Sequence, residues 1–160
     1  MSTKTEKYNL EGVKGVLEVW AYRSGELLSY SKNNNAITLE YKNFLAGAVT
    51  GELAMNTFEI GTGNTAPVLA DTALVASVFS KDIEAGDLSK ENNVLSLSLS
   101  VEAGEANSGS PLVKEVGVFM GATGGSGDSL IARALIVDPV TKNDATTINI
   151  LWTWTFGDPA

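Results

Sequence analysis

The last stretch of the chain constrains the fold more than any other, because its apolar residues recur at every second position. Five of them would share one face of an extended segment: Ile148, Ile150, Trp152, Trp154 and Phe156. Successive side chains of a β-strand point to opposite faces, so this spacing predicts a strand with one buried face. Each tryptophan buries about 200 Å² when it enters a core. We therefore predict that Trp152, Trp154 and Phe156 belong to the hydrophobic core.

Much of the remaining chain also has the composition of strands. Leucine and valine alternate with serine between residues 94 and 102, which is typical of an antiparallel strand with one face in water. β-Branched and aromatic residues predict further strands at 16–22, 26–31, 112–120 and 130–137. One helix is predicted over residues 36–49, where Tyr41, Phe44 and Leu45 fall at helical spacing. The fold class that follows is mainly β: an antiparallel β-sandwich of about seven or eight strands with one helix.

Residues 58–79 are predicted to change the direction of the chain. The segment begins as a strand with Ile60 on its core face. Gly61 and Gly63 end that strand, because glycine adopts positive φ without strain. Pro67 fixes the next bend and removes a backbone donor, so the strand cannot continue there. Gly61, Gly63 and Pro67 thus form an elbow, which we expect to carry the chain from one sheet to the other.

The second half of this segment is predicted to return to the core. Asp71 or Thr72 can cap one short helical turn after the elbow. Four apolar side chains then point back toward the interior: Leu74, Val75, Val78 and Phe79. Leu74 is the core residue that we single out here, together with Phe119 from the strand at 112–120.

The elbow also matches the outline of a ligand-binding motif. Residues 61–66, Gly-Thr-Gly-Asn-Thr-Ala, have the G-x-G-x-x-A spacing of dinucleotide-binding proteins. That motif requires a long helix directly after it, because the helix N-terminus binds the pyrophosphate. Pro67 and Asp71 leave room for one or two turns only. We therefore interpret the glycines as a turn between strands and predict no cofactor-binding residues.

One charged residue interrupts an otherwise apolar strand. Residues 130–137 are apolar on both faces apart from Arg133, so this strand is expected to lie in the middle of a sheet. A buried arginine requires an acidic partner. Glu115, on the preceding predicted strand, can supply one across the sheet. We predict that Glu115 and Arg133 form an ion pair that stabilises the fold and takes no part in catalysis.

The composition excludes several classes of function. The 160 residues contain no cysteine and no histidine, so thiol chemistry, cysteine metal sites and the usual general base are absent. The net charge of −8 disfavours nucleic acids and anionic membranes, whose binding depends on lysine and arginine. No apolar run approaches the roughly 20 residues of a membrane span. We expect neither nucleic acid nor membrane as a partner, and no metal-binding residue is predicted.

Carboxylates alone support one remaining class of enzyme, because glycosidases use a pair of them. Asp82, Glu84 and Asp87 lie close together in sequence. Acidic residues that cluster in a polar stretch usually form a solvated segment. We therefore predict no catalytic residues and no enzymatic activity.

The chain is expected to form one domain preceded by an arm. Residues 1–15 are rich in lysine and glutamate and poor in apolar residues, which is typical of a flexible or strap-like N-terminal segment. Residues 16–160 are predicted to form the single β-sandwich domain. The polar residues 1–12 do not have the pattern of a signal peptide, so synthesis in a cytosol is expected.

Several motifs occur in an order that resembles a β-rich domain of bacteriophage virion proteins, described as tail-fibre or tail-associated. The predicted helix ends in Phe-Leu-Ala-Gly at 44–47, and Ile-Gly-Thr-Gly-Asn-Thr-Ala-Pro follows at 60–67. Asp-Thr-Ala-Leu comes next at 71–74, then Lys-Glu-Val-Gly-Val-Phe at 114–119 and Leu-Ile-Ala-Arg-Ala at 130–134. The alternating tryptophan strand completes the order. The resemblance covers roughly residues 37–157.

This resemblance implies a non-enzymatic structural component of a bacteriophage particle, synthesised in the host bacterial cytoplasm. Its implied partners are other virion proteins of the tail or capsid, which it would contact in many copies. We also expect a homo-oligomer, because neighbouring subunits can protect open sheet edges, and the resemblance implies a trimer. The arm is expected at an interface, because it can become ordered on binding. The chain is short compared with fibre proteins, which keeps a capsid decoration protein open beside a tail protein.

A second function class stays open as the alternative: a carbohydrate- or receptor-binding module on the virion surface. Trp20 and Tyr22 would be the residues to stack on sugars if they are exposed. A place in the core is the competing interpretation of both.

Overall fold

The computed structural model describes residues 13–125 and 127–157. Within them the chain forms ten strands, the helix α1 (Tyr41–Thr50) and one 3₁₀ turn (Ala85–Asp87). The strands make two antiparallel sheets of five. The predicted fold class is thus confirmed: the protein is mainly β, sandwich-like, with one α-helix in the described residues. The strand count exceeds the expected seven or eight partly because two strands of two and four residues are too short to show a periodic pattern.

Sheet 1 is built around the C-terminal strand. Its strands, in spatial order, are β2 (Glu26–Asn34), β1 (Val13–Arg23), β10 (Thr146–Phe156), β7 (Val94–Val101) and β6 (Leu88–Glu91). β10 pairs along its whole length with β1 and along most of it with β7. Because β10 is central and its apolar positions face inward, the segment with the strongest alternation organises this sheet.

Sheet 2 is built from the middle of the chain. Its strands, in spatial order, are β3 (Ala36–Ile37), β9 (Ser129–Thr141), β8 (Leu112–Ala122), β4 (Leu53–Gly61) and β5 (Ser77–Asp82). β4 and β5 are antiparallel neighbours. The elbow therefore leaves sheet 2 and returns to it, and the prediction that it crosses to the other sheet is wrong. Glycine and proline determined that the chain bends, whereas pairing with β4 determines where it goes.

The main core lies between the two sheets. Trp152 and Trp154 are fully buried and stack with ring centroids 5.4 Å apart. Ile60 of β4 enters the same core from the opposite sheet. Phe156 is only partly buried, because it lies at the margin, where its ring packs on Tyr41 of α1. The tryptophans thus occupy the predicted place, and Phe156 closes one end of the core.

The helix is shorter than predicted. α1 begins at Tyr41, five residues after the expected start at Ala36. Ala36 and Ile37 instead form β3 against β9, because backbone pairing with a central strand replaces the first helical turn. The helix ends at Thr50, one residue after the predicted end, and Gly51 caps it with a left-handed φ of 77° that allows its N–H to bond back to Ala48.

The predicted arm, residues 1–15, lies outside the described residues except for its last three. Val13, Lys14 and Gly15 are the first residues of β1 and pair with the end of β10, so the described part of the domain begins at Val13. None of the helices in the described ranges is long and apolar enough to cross a membrane.

Candidate functional site

A buried ion-pair network lies on the outer face of sheet 2. Here the chain between β4 and β5, residues 62–76, folds over the strands β8 and β9; we call this segment the elbow loop. Alternate side chains of β8 point away from the main core, and Glu115 is one of them. Arg133 lies on the neighbouring strand β9 opposite Gly117. The strand periodicity therefore places both charged residues beneath the elbow loop.

Arg133 is the centre of this network and is 1 % exposed. Its Nε donates to Oε2 of Glu115 at 2.9 Å, and its Nη2 lies 2.8 Å from the same oxygen. Nη1 donates to Oδ2 of Asp71 at 2.9 Å, and Nη2 also donates to the carbonyl of Thr65 at 2.8 Å. The guanidinium thus binds one strand carboxylate and two points of the elbow loop, so the predicted pair is part of a larger cluster.

The Glu115 carboxylate accepts hydrogen bonds from backbone N–H groups at both ends of the elbow loop. Oε1 accepts the N–H groups of Gly63 at 3.0 Å and Ala76 at 2.8 Å. Oε2 accepts the N–H of Val75 at 3.2 Å in addition to Arg133. One buried carboxylate therefore fixes the place where the loop leaves β4 and the place where it enters β5.

Asp71 has a different role from the one predicted. We expected Asp71 or Thr72 to cap a short helical turn, but residues 62–76 contain no helix. Oδ2 of Asp71 instead accepts the N–H of Val68 at 2.9 Å and the Arg133 guanidinium. Asp71 closes a tight turn and presents the charge that Arg133 requires. Pro67 is half-buried and stands directly before Val68 in this turn.

The two elbow glycines are needed for space. We predicted that Gly61 and Gly63 supply positive φ, but neither has a φ in that region, so this part of the prediction is wrong. A Cβ on Gly63 would lie 2.5 Å from Oε1 of Glu115, and one on Gly61 would lie 2.6 Å from it. The backbone must approach the carboxylate closely to donate to it, and only glycine leaves that room.

An apolar cluster completes the contact between loop and sheet. Leu74 of the elbow loop packs with Phe119 and Leu130 apart from the main core. A Cβ on Gly117 would lie 2.7 Å from the Leu74 side chain. Leu74 and Phe119 are buried as predicted, but on the outer face of sheet 2. Of their neighbours, Val75 and Val78 are exposed rather than buried.

The charge state of the network follows from these bonds. Burial alone would raise the pKa of Glu115, but the backbone N–H groups of Ala76 and Val75 and the Arg133 guanidinium outweigh burial and hold that pKa below its ordinary value. Glu115 is therefore ionised at neutral pH. Both of its oxygens are occupied by protein donors, so the carboxylate serves as a structural acceptor.

A second buried cation, missed in the sequence, holds another loop. Lys142 follows β9 directly and is fully buried. Its Nζ donates to Oδ1 of Asn107 at 2.8 Å, to the carbonyl of Asn143 at 2.9 Å and to that of Ala103 at 3.4 Å. Asn107 and Ala103 belong to residues 102–111, which we call the Lys142 loop. No pattern marks Lys142 in the sequence, because it stands among polar residues at the end of a strand.

Burial lowers the pKa of Lys142, and the more distant carboxylates Glu105, Asp144 and Glu102 oppose that shift without reversing it. Glu105 of the same loop forms an ion pair with Lys81 of β5 at 2.9 Å. In the part of the chain that the structure describes, no three acidic side chains lie close enough to share a metal ion. The charged groups found in this region serve to hold loops on the sandwich.

Comparisons with protein-family models, with curated proteins and with solved structures gave no match for this chain.

Proposed function

We propose that this chain is a non-enzymatic structural component of a bacteriophage particle, which docks in multiple copies on tail or capsid proteins after synthesis in the host cytoplasm. The observation that carries the proposal is spatial. Four of the six motifs that carry the resemblance contribute to one structural unit, the elbow loop with its Arg133 network. Because these motifs are separate in sequence but meet in the folded chain, they have a structural reason to occur together.

The convergence involves the segments that carry the resemblance. The 60–67 segment contributes Gly63 and the Thr65 carbonyl, and the 71–74 segment contributes Asp71 and Leu74. The 114–119 segment contributes Glu115 and Phe119, whereas the 130–134 segment contributes Leu130 and Arg133. A loop held by these eight residues from four segments is a fixed surface feature. Rigid surface features are suited to docking, because little conformational entropy is lost on binding.

The geometry of the network favours docking over catalysis. Four of the five guanidinium N–H groups of Arg133 can be assigned to acceptors on the protein. Glu115 is buried and fully occupied by donors. A general acid or base must reach the proton of a substrate, and Glu115 is covered by the elbow loop.

The elbow loop also presents apolar side chains to solvent. Val68 is 54 % exposed and Val75 is 57 % exposed. Leu39, which is 56 % exposed, lies next to the loop because its N–H donates to the carbonyl of Leu69 at 3.0 Å. We define Leu39, Val68 and Val75 as the docking surface. We propose that other virion proteins dock on these exposed apolar groups of the elbow loop and its neighbour.

Docking in many copies would make weak contacts sufficient, because linked copies act together. We propose a homo-oligomer, with a trimer as the expected size. Open sheet edges such as β6 are stabilised when a neighbouring subunit covers them. Light scattering of the purified chain tests this proposal: a trimer has three times the 16.8 kDa mass of one chain, and a monomer at high concentration would contradict it.

The decisive experiment asks whether the chain is present in particles. Mass spectrometry of purified phage particles from the organism that encodes the chain should detect it, and immunogold labelling should place it at a repeated position. Detection in the soluble fraction alone, with none in purified particles, would contradict the proposal.

A double variant tests whether the docking surface is required for incorporation into particles. The double substitution Val68→Asp and Val75→Asp places charges on exposed positions, so it should reduce incorporation at least ten-fold without lowering thermal stability. Val137→Asp is the matched control, because Val137 is 61 % exposed on β9 and is not part of the docking surface. Equal incorporation of the double variant and the control would place the docking surface elsewhere.

A further inference from the structure

The outer face of sheet 1 carries a row of side chains that the elbow loop does not involve. Tyr30, Trp20, Asn149 and Ser100 lie directly opposite one another on four adjacent strands, from β2 across β1 and β10 to β7. Trp20, Asn149 and Ser100 alternate with buried residues on their strands, and Tyr30 is exposed directly opposite Trp20, so all four point away from the main core. An aromatic pair at one end of the row therefore leads into amide and hydroxyl groups at the other.

Trp20 is fixed in position and yet partly open to solvent. Its ring centroid lies 5.3 Å from that of Tyr30, and the hydroxyl of Tyr30 donates to Glu18 at 2.6 Å. Trp20 is half-buried, whereas Trp152 and Trp154 are fully buried. A tryptophan whose ring is held by a neighbour and partly exposed offers a rigid aromatic platform at low entropic cost on binding.

A pocket of about 550 Å³ opens beside this platform. Its polar lining includes Trp20, Asp87, Ser98, Ser100 and Asn149. Pockets for small ligands commonly have volumes of about 300–1,000 Å³. This one is shallow and open, with an aromatic wall and small polar groups along its floor.

The polar groups of the pocket offer both donors and acceptors. Ser100 Oγ donates to Oδ1 of Asn149 at 2.8 Å, and among the described residues no acceptor is bonded to Nδ2 of Asn149. Ser98 is exposed at the next outward position of β7. Asp87 uses Oδ2 to accept the N–H of Glu84 at 2.8 Å, which holds its carboxylate at the rim with Oδ1 available. A ligand rich in hydroxyl groups offers matching acceptors and donors for these groups.

We propose that this pocket binds a neutral saccharide, with one sugar ring stacked on Trp20 and its hydroxyl groups bonded to Asn149, Ser98 and Asp87. The apolar C–H face of a pyranose packs on an aromatic ring, while its hydroxyl groups both donate and accept. An anionic ligand is disfavoured by Asp87 at the rim and by the net charge of −8. This binding is independent of docking in a particle, so each proposal can fail without the other.

Tryptophan fluorescence tests the site directly, because Trp20 is the tryptophan that reaches solvent. The purified full-length chain is titrated with maltotetraose, cellotetraose, chitotetraose and mannotetraose, and a printed array of neutral glycans extends the panel. We expect at least one neutral glycan to change the emission in a saturable way and to bind in calorimetry. Trp20→Ala should then weaken the affinity at least ten-fold.

Tyr22→Ala is the matched control, because Tyr22 is an aromatic residue on the same strand and face but does not line the pocket. It should leave the affinity within two-fold of the unchanged protein. Ser98→Tyr fills the pocket from an exposed position and should abolish binding even if Trp20→Ala proves unstable. The proposal is overturned if no neutral glycan binds, if binding survives both Trp20→Ala and Ser98→Tyr, or if only a sulfated heparin tetrasaccharide binds.

Discussion

The elbow loop and the Lys142 loop are held on the same sandwich by buried cations, but with opposite electrostatics. Arg133 lies between two carboxylates, Glu115 and Asp71, and bonds to both. Lys142 bonds to three neutral oxygens and has no carboxylate within ion-pair distance among the described residues. The planar guanidinium can bind several acceptors in fixed directions, whereas the ammonium group is a single point of charge.

The different partners of Arg133 and Lys142 imply different contributions to the stability of the fold. Removing one partner of a buried ion pair leaves the remaining charge without a counter-ion, which strongly destabilises the folded state. A buried lysine with neutral acceptors has lost hydration without gaining an opposite charge, and its lowered pKa reflects that cost. We infer that the Arg133 network strongly stabilises the elbow loop. Lys142 holds its loop through hydrogen bonds, but the burial of its charge reduces the free energy gained.

Arg133→Met should have the largest effect. It leaves Glu115 buried without its cation, which costs about 3–5 kcal/mol in comparable buried pairs. Urea unfolding measures the change in the free energy of unfolding. Arg23→Met is the control, because Arg23 is exposed at the end of β1, and it should change that free energy by less than about 0.5 kcal/mol. Similar losses for the two variants would show that the network is not special.

Gly63→Ala should have the second-largest effect on stability. It tests how tightly the backbone of each loop is packed, without changing any charge. The new Cβ would lie 2.5 Å from both Oε1 of Glu115 and the Cβ of Val75, and overpacking of this kind costs about 1–3 kcal/mol. Gly104→Ala is the matched change in the Lys142 loop, where nothing lies within 4 Å and φ is not positive. It should be neutral or slightly stabilising. Thermal unfolding of both variants checks the contrast, and equal midpoints would contradict it.

Lys142→Met should cost less than either change to the elbow. It removes hydrogen bonds and leaves Asn107 Oδ1 without its donor, but it also removes a buried charge, so we expect a loss of about 1 kcal/mol. Lys90→Met, at an exposed position of β6, is the control and should be neutral. If Lys142→Met destabilised the protein as much as Arg133→Met, neutral acceptors would support a buried cation as well as carboxylates do.

The smallest expected effects are those of pH. The lowered pKa of Glu115 means that its contribution is present above its ordinary value of 4.5 and is lost as pH falls through the folded pKa. The lowered pKa of Lys142 means that the unfolded chain binds more protons between the folded pKa and 10.5, so stability rises with pH in that window. Urea titrations should show that Lys142→Met removes part of the alkaline rise while the acid loss remains. A rise that persists unchanged in the variant would contradict the assignment.

Much of the fold could be predicted from the sequence, because the periodicity of a strand is visible in a short stretch of residues. The alternation from Ile148 to Phe156 predicted a strand with buried tryptophans, and pairing on both sides of β10 agrees with it. Arg133 was recognisable because a charge inside an apolar strand demands a partner. The nearest acidic residue on the preceding strand, Glu115, is bonded to it.

Other features could not be predicted because they depend on distant contacts. Glycine and proline indicated a bend, but the return of β5 to β4 is a choice of pairing that no local residue encodes. The bond of Asp71 to Arg133 spans residues 62 apart in sequence. Glycine is needed at position 63 because of the Glu115 carboxylate. The polar pocket beside Trp20 is lined by residues of three strands and the 3₁₀ turn, which meet only in the folded structure.

Hydrogen exchange at single amides tests the central claim, that Glu115 and Arg133 hold the elbow loop on sheet 2. The N–H groups of Gly63 and Ala76 donate to Glu115, so both should exchange slowly in the unchanged protein. Arg133→Met should make both exchange at least ten-fold faster relative to the core amides, while Lys142→Met should leave them unchanged. Exchange of Gly63 and Ala76 as fast as that of the exposed Asn64 in the unchanged protein, or equal protection in all three proteins, would contradict the account.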